Sequence, residues 1–233
     1  MKYRIISAAI IAVGIIIMGL SLKAGMDNFT EKDRKVTVKG LAEKEVKADK
    51  VTWPIVTKEL GNDLPELYVR IAQKQQTIRH FLLANGITEK EITVNAPQVI
   101  DLSADQYSTN TNPYRYNITV VVTVTSGNVD RVRGIIARQG ELLKQGVAIV
   151  AGDYTNQITY SLDSFKKMKP KMMTEAIENA QQTAQQFALN SKSKLNKIVS
   201  ADQGQFTIED RDQNTPWIKR VRVVTTVTYS LKD

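Results

Sequence analysis

Residues 114–125, YRYNITVVVTVT, carry the clearest strand pattern in the chain, because apolar side chains recur at every second position. The positions that share this apolar face are Ile118, Val120, Val122 and Val124. Alternation with a period of two is typical of a strand that buries one face. The pattern therefore predicts a sheet with one side covered by other elements.

The segments on either side of this strand predict an α+β fold. Upstream lie predicted strands at 36–40, 43–49, 51–60 and 91–102 and a predicted helix at 64–84; downstream lie predicted helices at 129–144 and 171–191 and predicted strands at 147–162, 197–208 and 218–231. After the first strand the order is β-α-β-β-α-β, the split ferredoxin-like arrangement, and β-α-β-β recurs from residue 147. We expect one two-layer α+β domain, a largely antiparallel sheet with helices on one face.

Several residues mark the ends of these elements. Asp63 is a predicted helix N-cap with Pro65 in the first turn, and Asn85-Gly86 is a predicted left-handed helix stop. Pro54 places the strand at 51–60 at a sheet edge or a bulge, because proline cannot donate a ladder hydrogen bond. Residues 103–113 form a polar loop.

The helix at 171–191 has two unusual faces. One is a ridge of small residues at four-residue spacing: Ala176, Ala180, Ala184 and Ala188. Small side chains allow a close approach to a neighbour, and we expect Met173, Ile177 and Phe187 to add bulk beside the ridge. The other face is polar but uncharged: Gln181, Gln182, Gln185 and Gln186. Solvent exposure and a subunit contact both remain open for this face.

Residues 5–22, IISAAIIAVGIIIMGLSL, form an uncharged run that begins at Ile5 and ends at Leu22. As a helix this run would be about 27 Å long, close to the hydrocarbon thickness of a bilayer. Lys2 and Arg4 precede it, and positive flanks stay cytoplasmic, so the rest of the chain would be exported. The sequence predicts a transmembrane helix, with residues 1–25 as an anchor. A cleaved signal sequence and a buried core helix are the alternatives.

The rest of the chain divides into a charged linker at 26–35 and a domain at 36–233. Beyond residue 25, 29 of the 32 basic residues remain against 24 acidic ones, a net charge of +5. Such a mildly basic surface is not typical of a nucleic-acid-binding protein. The chain has no cysteine, which excludes disulfides, thiolate nucleophiles, cysteine-ligated metals and a lipoprotein anchor.

The sequence contains one histidine, His80, which limits the available chemistry. One histidine cannot form a multi-histidine metal site within a chain, and a histidine-based triad is not expected. His80 lies about 200° around the predicted helix from Ile78, on its polar side. We expect an exposed histidine, and we predict no catalytic, cofactor-binding or metal-binding residue.

Two charged groups are the remaining candidates for a binding site. The densest basic segment, FKKMKPKM, contains Lys166, Lys167, Lys169 and Lys171. It fits a solvated helix entrance or a phosphate or lipid-headgroup contact, whereas the lack of interleaved aromatic residues disfavours nucleic acid. The carboxylates in predicted turns, all close to basic residues and expected to be solvated, are Glu89, Glu91, Glu209, Asp210 and Asp212.

The order and spacing of several short motifs resemble those of the SIMPL-domain family over residues 36–231. These motifs are VTVKG at 36–40, Ala48-Asp49, Asn85-Gly86-Ile87 with Glu91-Ile92, YRY at 114–116, Gln145-Gly146-Val147, and the alanine-rich helix before 195–199. The resemblance implies a bacterial envelope protein without agreed catalytic residues. Family members include periplasmic antigens and a protein linked to oxidative-stress tolerance, and some form large ring-like or channel-like homo-oligomers.

We therefore expect a non-enzymatic, stress-related protein anchored in the bacterial inner membrane, with its domain in the periplasm. We expect it to form a homo-oligomeric scaffold or channel-like assembly. A soluble periplasmic protein released by signal cleavage is one alternative. An exported hydrolase, in which folding brings two carboxylates together, and a lipid-headgroup-binding module are two others.

Overall fold

The computed structural model describes residues 2–31, 34–104, 113–150 and 155–232, and in the first helix it describes side chains at 11–23, 25 and 26. The helices in these residues are α1 (Lys2–Glu31), α2 (Leu64–Ala84), α3 (Val129–Ala137), α4 (Gly140–Lys144) and α5 (Phe165–Asn190), with a 3₁₀ turn at Glu89–Glu91. The strands are β1 (Lys35–Lys47), β2 (Lys50–Gly61), β3 (Ile92–Val94), β4 (Gln98–Asp101), β5 (Tyr116–Ser126), β6 (Thr159–Ser161), β7 (Lys194–Asp210) and β8 (Ile218–Lys232). Helices with antiparallel sheets confirm the predicted α+β class.

The strands belong to two sheets, whereas the sequence predicted one. One sheet has the order β1-β8-β7, and the other has the order β3-β5-β2-β6, with β4 also paired to β5. The chain forms two compact units: unit 1 comprises 1–44, 166–209 and 220–233, and unit 2 comprises 45–165 and 210–219. Alternation in a sequence shows which face of a strand is buried but not which strand pairs with it. The division of the strands into two sheets therefore could not be predicted from the sequence.

The core of unit 2 lies between α2 and the paired strands β2 and β5. The predicted apolar face of β5 is buried, with Val124 opposite Trp53 and Val122 opposite Ile55. Buried residues of α2 complete this core: Leu67, Ile71, Ile78, Phe81 and Leu82. Large aliphatic and aromatic side chains therefore provide the main stabilising contribution in this unit.

The predicted ends of unit 2 elements are confirmed. Asp63 caps α2 by accepting a 3.0 Å hydrogen bond from the Glu66 backbone nitrogen, with Pro65 in the first turn. Gly86, at φ +83°, ends the helix in the left-handed region. The predicted edge position of the strand at 51–60 is wrong, because β2 lies between β5 and β6, and Pro54 pairs with Thr123 of β5 without a bulge. The described pairing with β6 ends at Thr52, so Pro54 is not required to donate a ladder hydrogen bond on that side.

Three predicted elements of unit 2 are wrong in extent. The strand expected at 91–102 is β3 and β4, two short strands on β5. The helix expected at 129–144 divides into α3 and α4 at Arg138, whose guanidinium bonds Glu141 and Asn85 at 2.8 Å each. The strand expected at 147–162 is reduced to β6, and 151–154 lie outside the described residues, as do 105–112 of the predicted loop.

The core of unit 1 lies between α5 and the strands β1 and β8. The predicted alanine ridge of α5 is fully buried. Gly40 of β1 lies against it: a Cβ at Gly40 would overlap the carbonyl oxygen of Ala176 and come within 2.7 Å of the Ala180 nitrogen. Val38, Val227 and Tyr229 pack around Ala180 and Ala184. Close approach of helix and strand thus depends on glycine facing alanine.

Other expectations for unit 1 need correction. α5 begins at Phe165, ahead of the expected residue 171, and contains Pro170. Ile177 and Phe187 do not add bulk to the core, because they are 40% and 57% exposed. The glutamines of α5 are exposed. The strands expected at 36–40 and 43–49 form one strand, β1.

α1 is one continuous helix that includes the apolar run. Its described apolar side chains are exposed at successive positions, for example Ile15, Ile16 and Ile17 at 58–60%. Among the residues whose side chains the structure describes, which in α1 begin at Ile11, no helix is both long and apolar enough to cross a membrane. Residues 32–33 of the predicted linker lie outside the described residues.

Candidate functional site

Asp49, in the bend between β1 and β2, organises a junction of unit 2. Its carboxylate accepts hydrogen bonds from the backbone nitrogens of Asp163 and Ser164, both at 2.7 Å. The adjacent Ala48 nitrogen donates to the Trp217 carbonyl at 2.8 Å. Burial raises the pKa of Asp49, but the hydrogen bonds from Ser164 and Asp163 outweigh it and hold the pKa below its usual value. The Ala48-Asp49 motif thus has a structural role that the sequence alone did not reveal.

An open cleft of about 500 Å³ adjoins Asp49. Its walls are formed by Lys47, Ala48, Asp49, Gly127, Asn128, Val129 and Asp130. Asn128 caps α3 by accepting a 3.1 Å hydrogen bond from the Arg131 nitrogen, and Lys47 Nζ lies 3.2 Å from Asp130 Oδ2. These polar groups therefore already have partners within the chain. The helix cap and the ion pair give these lining residues a structural role at the start of α3.

An aromatic and cationic cluster holds the turn between β7 and β8 within unit 2. The Arg133 guanidinium lies 3.4 Å from the centroid of the Trp217 ring, a cation–π contact. The Tyr160 ring packs edge-on against Trp217 at a centroid distance of 6.3 Å. Burial raises the pKa of the Tyr160 hydroxyl, while the charge of Arg133 opposes that shift. This cluster could not be predicted from the sequence, because its members are far apart along the chain.

Two surface carboxylates of unit 2 organise turns. Asp212 accepts hydrogen bonds from the backbone nitrogens of Asn214 and Thr215, and hydrogen bonds from the Thr215 and Arg211 side chains lower its pKa to about 2. Asp101 accepts two hydrogen bonds from Arg115, at 3.1 and 2.9 Å, which likewise lower its pKa to about 2. Asp212 is exposed in a turn beside Arg211, as expected, and its hydrogen bonds to the turn are an addition that the sequence did not indicate.

The other residues singled out in the sequence of unit 2 lie apart from one another. His80 is exposed on α2, as predicted. Glu89 forms an ion pair with Arg79 at 2.8 Å. Glu91 is not simply solvated, because hydrogen bonds from Ser126 and Thr88 lower its pKa. Asp210 pairs with Lys219. In the described residues, no three carboxylate or histidine side chains are grouped so that they could hold a metal ion.

The basic segment at 166–171 forms the first turns of α5 in unit 1. Its four lysines are exposed: Lys166, Lys167, Lys169 and Lys171. Lys169 lies over the ring of Phe206 on β7, with Nζ at 5.7 Å from the ring centroid. Glu209 is exposed at the far end of the same strand. The segment is therefore partly used in packing within unit 1.

These observations define an α+β protein with two antiparallel sheets, in which polar residues mainly organise turns and junctions. The SIMPL family model, described as a protein of unknown function (DUF541), matches residues 36–229. Since this match covers most of the chain, the protein belongs to the SIMPL family, as its motifs predicted. No curated protein matches the chain.

Proposed function

We propose that this SIMPL-family protein is a non-enzymatic component of a bacterial envelope, held to the inner membrane by α1 with its domain in the periplasm. The uncharged run at 5–22 supports this proposal, because about 20 apolar residues span a bilayer as a helix. The exposure of Ile15, Ile16 and Ile17 at successive positions adds to it. A helix that is apolar all round is favoured where an apolar medium surrounds it.

An alkaline phosphatase fusion tests the direction of insertion. Phosphatase joined after Lys35 is active only if that point is exported, and we expect activity. A matched fusion with Ile15→Lys and Ile16→Lys should lose it, because lysine at the centre of a membrane helix opposes insertion. An inactive unmodified fusion would contradict the orientation. An intact mass of 26.1 kDa for the membrane-bound chain would separate the anchor from a cleaved signal.

The protein acts as a homo-oligomer in this proposal, and a surface of α5 in unit 1 forms the contact. One row of side chains at four-residue spacing shares a flank of the helix: Ile177, Gln181, Gln185 and Leu189. Ile177 is 40% and Leu189 is 71% exposed, and the two glutamines that lie between them in this row carry no charge. Exposed apolar side chains together with uncharged amides favour protein contact over solvation.

Light scattering of the full-length protein in detergent tests this assembly. We expect a mass of several chains per micelle. Gln181→Glu with Gln185→Glu should reduce that mass, because buried carboxylates without partners oppose association. The matched control is Gln73→Glu with Gln76→Glu on α2, where both glutamines are exposed and no change is expected. One chain per micelle for the unmodified protein at high concentration would rule the oligomer out.

A further inference from the structure

Four exposed lysines come together at one end of unit 1, where β1 and β7 begin and α5 and β8 end. We refer to them as the lysine cluster: Lys35, Lys192, Lys194 and Lys197. Hydrogen bonds join the segments that carry them. The Arg34 carbonyl accepts from the Leu231 nitrogen at 2.8 Å, and the Arg34 guanidinium donates to Ser193 Oγ at 3.1 Å. Ser230 Oγ donates to the Lys197 carbonyl at 3.2 Å.

Lys192 has an unusual backbone conformation. It follows the last turn of α5 at φ +56°, and it is the one non-glycine residue in the left-handed region among the described residues. Glycine or asparagine usually occupies this position after a helix. A side chain with a Cβ is disfavoured there by about 1 kcal/mol. A lysine in such a strained position is an observation that points to a function for its charge.

The opposite end of the same sheet has a different charge pattern. There Arg220 of β8 pairs with Glu43 of β1 at 3.4 Å, so positive and negative groups balance. Within the described residues, none of the four clustered lysines forms an ion pair. Several lysines that lie close together, none of them in an ion pair with a described residue, are typical of a surface that binds an anionic partner.

We propose that the lysine cluster binds the anionic phospholipid headgroups of the membrane that holds α1; this inference rests on the anchor proposed above. α1 continues for nine residues beyond Leu22, where the apolar run ends, so its last residue lies about 13 Å past the hydrocarbon, of which about 6 Å is headgroup layer. Two residues lie between Glu31, the end of α1, and Arg34, and these three steps of the chain span at most about 10 Å, enough to turn back to the headgroups. Attraction between lysines and an anionic leaflet acts over a Debye length of about 8 Å. The cluster therefore lies where the chain can bring it to the membrane surface, and binding would lean unit 1 toward the bilayer.

Energy transfer on full-length protein in vesicles tests this contact. The chain lacks cysteine, so Ser200→Cys, at an exposed position of β7, gives one dye site. The acceptor is a headgroup-labelled lipid in vesicles of phosphatidylcholine with or without phosphatidylglycerol. We expect higher transfer with phosphatidylglycerol at low salt and loss of the difference at high salt. Each lysine removed should lower the ratio of bound to unbound units about fivefold.

The matched pair of variants uses two clusters of equal charge. Lys→Gln at all four clustered positions should abolish the lipid-dependent difference. Lys→Gln at 166, 167, 169 and 171 should leave it unchanged, because those lysines lie at the other end of α5, about 35 Å along the helix axis. Equal transfer in both lipids, or a loss caused only by the 166–171 variant, would overturn the proposal.

Two further experiments complete the test. One distinguishes lipid headgroups from other anions, and the other separates the effect of the α1 anchor from that of the lysine cluster. Inorganic phosphate should act no more strongly than sodium chloride of equal ionic strength; displacement by phosphate alone, or by an oligonucleotide, would overturn the lipid assignment. If alkaline carbonate extracts the chain from vesicles, the anchor is wrong. Co-sedimentation of the full chain with phosphatidylglycerol vesicles then decides: dependence on the four lysines supports the lipid contact, and its absence overturns it.

Discussion

Unit 2 fills the space between helix and sheet with large side chains, whereas unit 1 fills it mainly with alanine against glycine. Trp53, Ile71 and Leu82 are at most 2% exposed in unit 2. In unit 1 the corresponding contact is Gly40 with Ala176 and Ala180. Burial of large groups contributes about 25 cal/mol per Å², while a glycine–alanine contact depends on close approach. Loss of volume should therefore damage unit 2, and gain of volume should damage unit 1.

Trp53→Ala should produce the largest effect. Trp53 is the largest fully buried side chain of unit 2, and removal of a buried aromatic ring destabilises a protein by about 3–5 kcal/mol. Urea unfolding followed by circular dichroism measures the loss, and amide hydrogen exchange should show it in unit 2. Tyr68→Ala on α2 is the control: Tyr68 is 60% exposed, so the change should stay within about 0.5 kcal/mol. Equal losses for both variants would contradict the description of the core.

Gly40→Ala should follow, although it adds only a methyl group. The new Cβ would overlap the carbonyl oxygen of Ala176, and backbone atoms cannot move aside as a flexible side chain would. We expect a loss of about 3 kcal/mol, with faster amide exchange in unit 1. Gly134→Ala in α3 is the matched control. No atom lies within 4 Å of its new Cβ, so this change should stabilise the helix by about 0.5–1 kcal/mol.

The two units also differ in how well the sequence predicted them. The periodic spacing of apolar residues correctly predicted α2 and the buried face of β5, and the four-residue spacing of alanines correctly predicted the buried ridge of α5. The predicted strand at 147–162 is wrong in extent, because its apolar residues make separate contacts with the rest of unit 2 and do not form one continuous strand. Val147 is buried, and the Val150 nitrogen donates to the Val56 carbonyl at 2.8 Å, but residues 147–150 do not form a strand. A pattern of apolar residues does not show whether each one has a strand partner.

Asp49→Asn tests the polar junction of unit 2. The neutral amide can accept from only one of the two backbone nitrogens with its oxygen, so the Asp163 and Ser164 contacts weaken. Charged hydrogen bonds contribute about 1.5–3 kcal/mol, and partial exposure of Asp49 lowers the expected loss to about 1–2 kcal/mol.

The pH dependence of Asp49→Asn has a definite sign. The pKa of Asp49 is lower in the folded chain than its usual 3.8, so its stabilising contribution is complete above that pH. The contribution is lost as the pH falls through the lowered pKa. The stability difference between the unmodified chain and the variant should therefore shrink with acid. A difference that stays constant down to the lowest pH at which both fold would show that the charge has no part in it.

Arg133→Gln should have a smaller effect on the same unit. It removes the cation from the face of Trp217, a contact expected to contribute about 1 kcal/mol because the Arg133 side chain is 32% exposed. Trp217 fluorescence, recorded in a Trp53→Phe background, should change on substitution. Arg133→Lys should retain part of the stability but less than arginine. An unchanged emission spectrum would show that the two groups do not interact in solution.

The structural roles of polar residues were harder to predict than the helices. The sequence showed His80 and the lysines at 166–171 as exposed, and the structure confirms both. It did not show the contact of Arg133 with Trp217, or the lysine cluster. The members of each come from segments that only the fold brings together. Local spacing carries no information about such long-range neighbours.

Lys192→Gly should have the smallest effect, and its sign is opposite to that of the four test substitutions above, which all destabilise the chain. Glycine adopts φ +56° without a Cβ clash, so the variant should be more stable by about 0.5–1 kcal/mol, partly offset by greater backbone freedom when unfolded. Thermal unfolding of the full chain measures this gain. Lys194→Gly is the control, because glycine at this first residue of β7 relieves no strained backbone and should weaken the start of the strand. If Lys192→Gly gains stability and loses part of the lipid-dependent energy transfer, unit 1 retains a strained lysine for its charge. If it gains stability and leaves the transfer unchanged, Lys192 is only an imperfect helix end, and that result would contradict the fivefold effect expected for each lysine of the cluster.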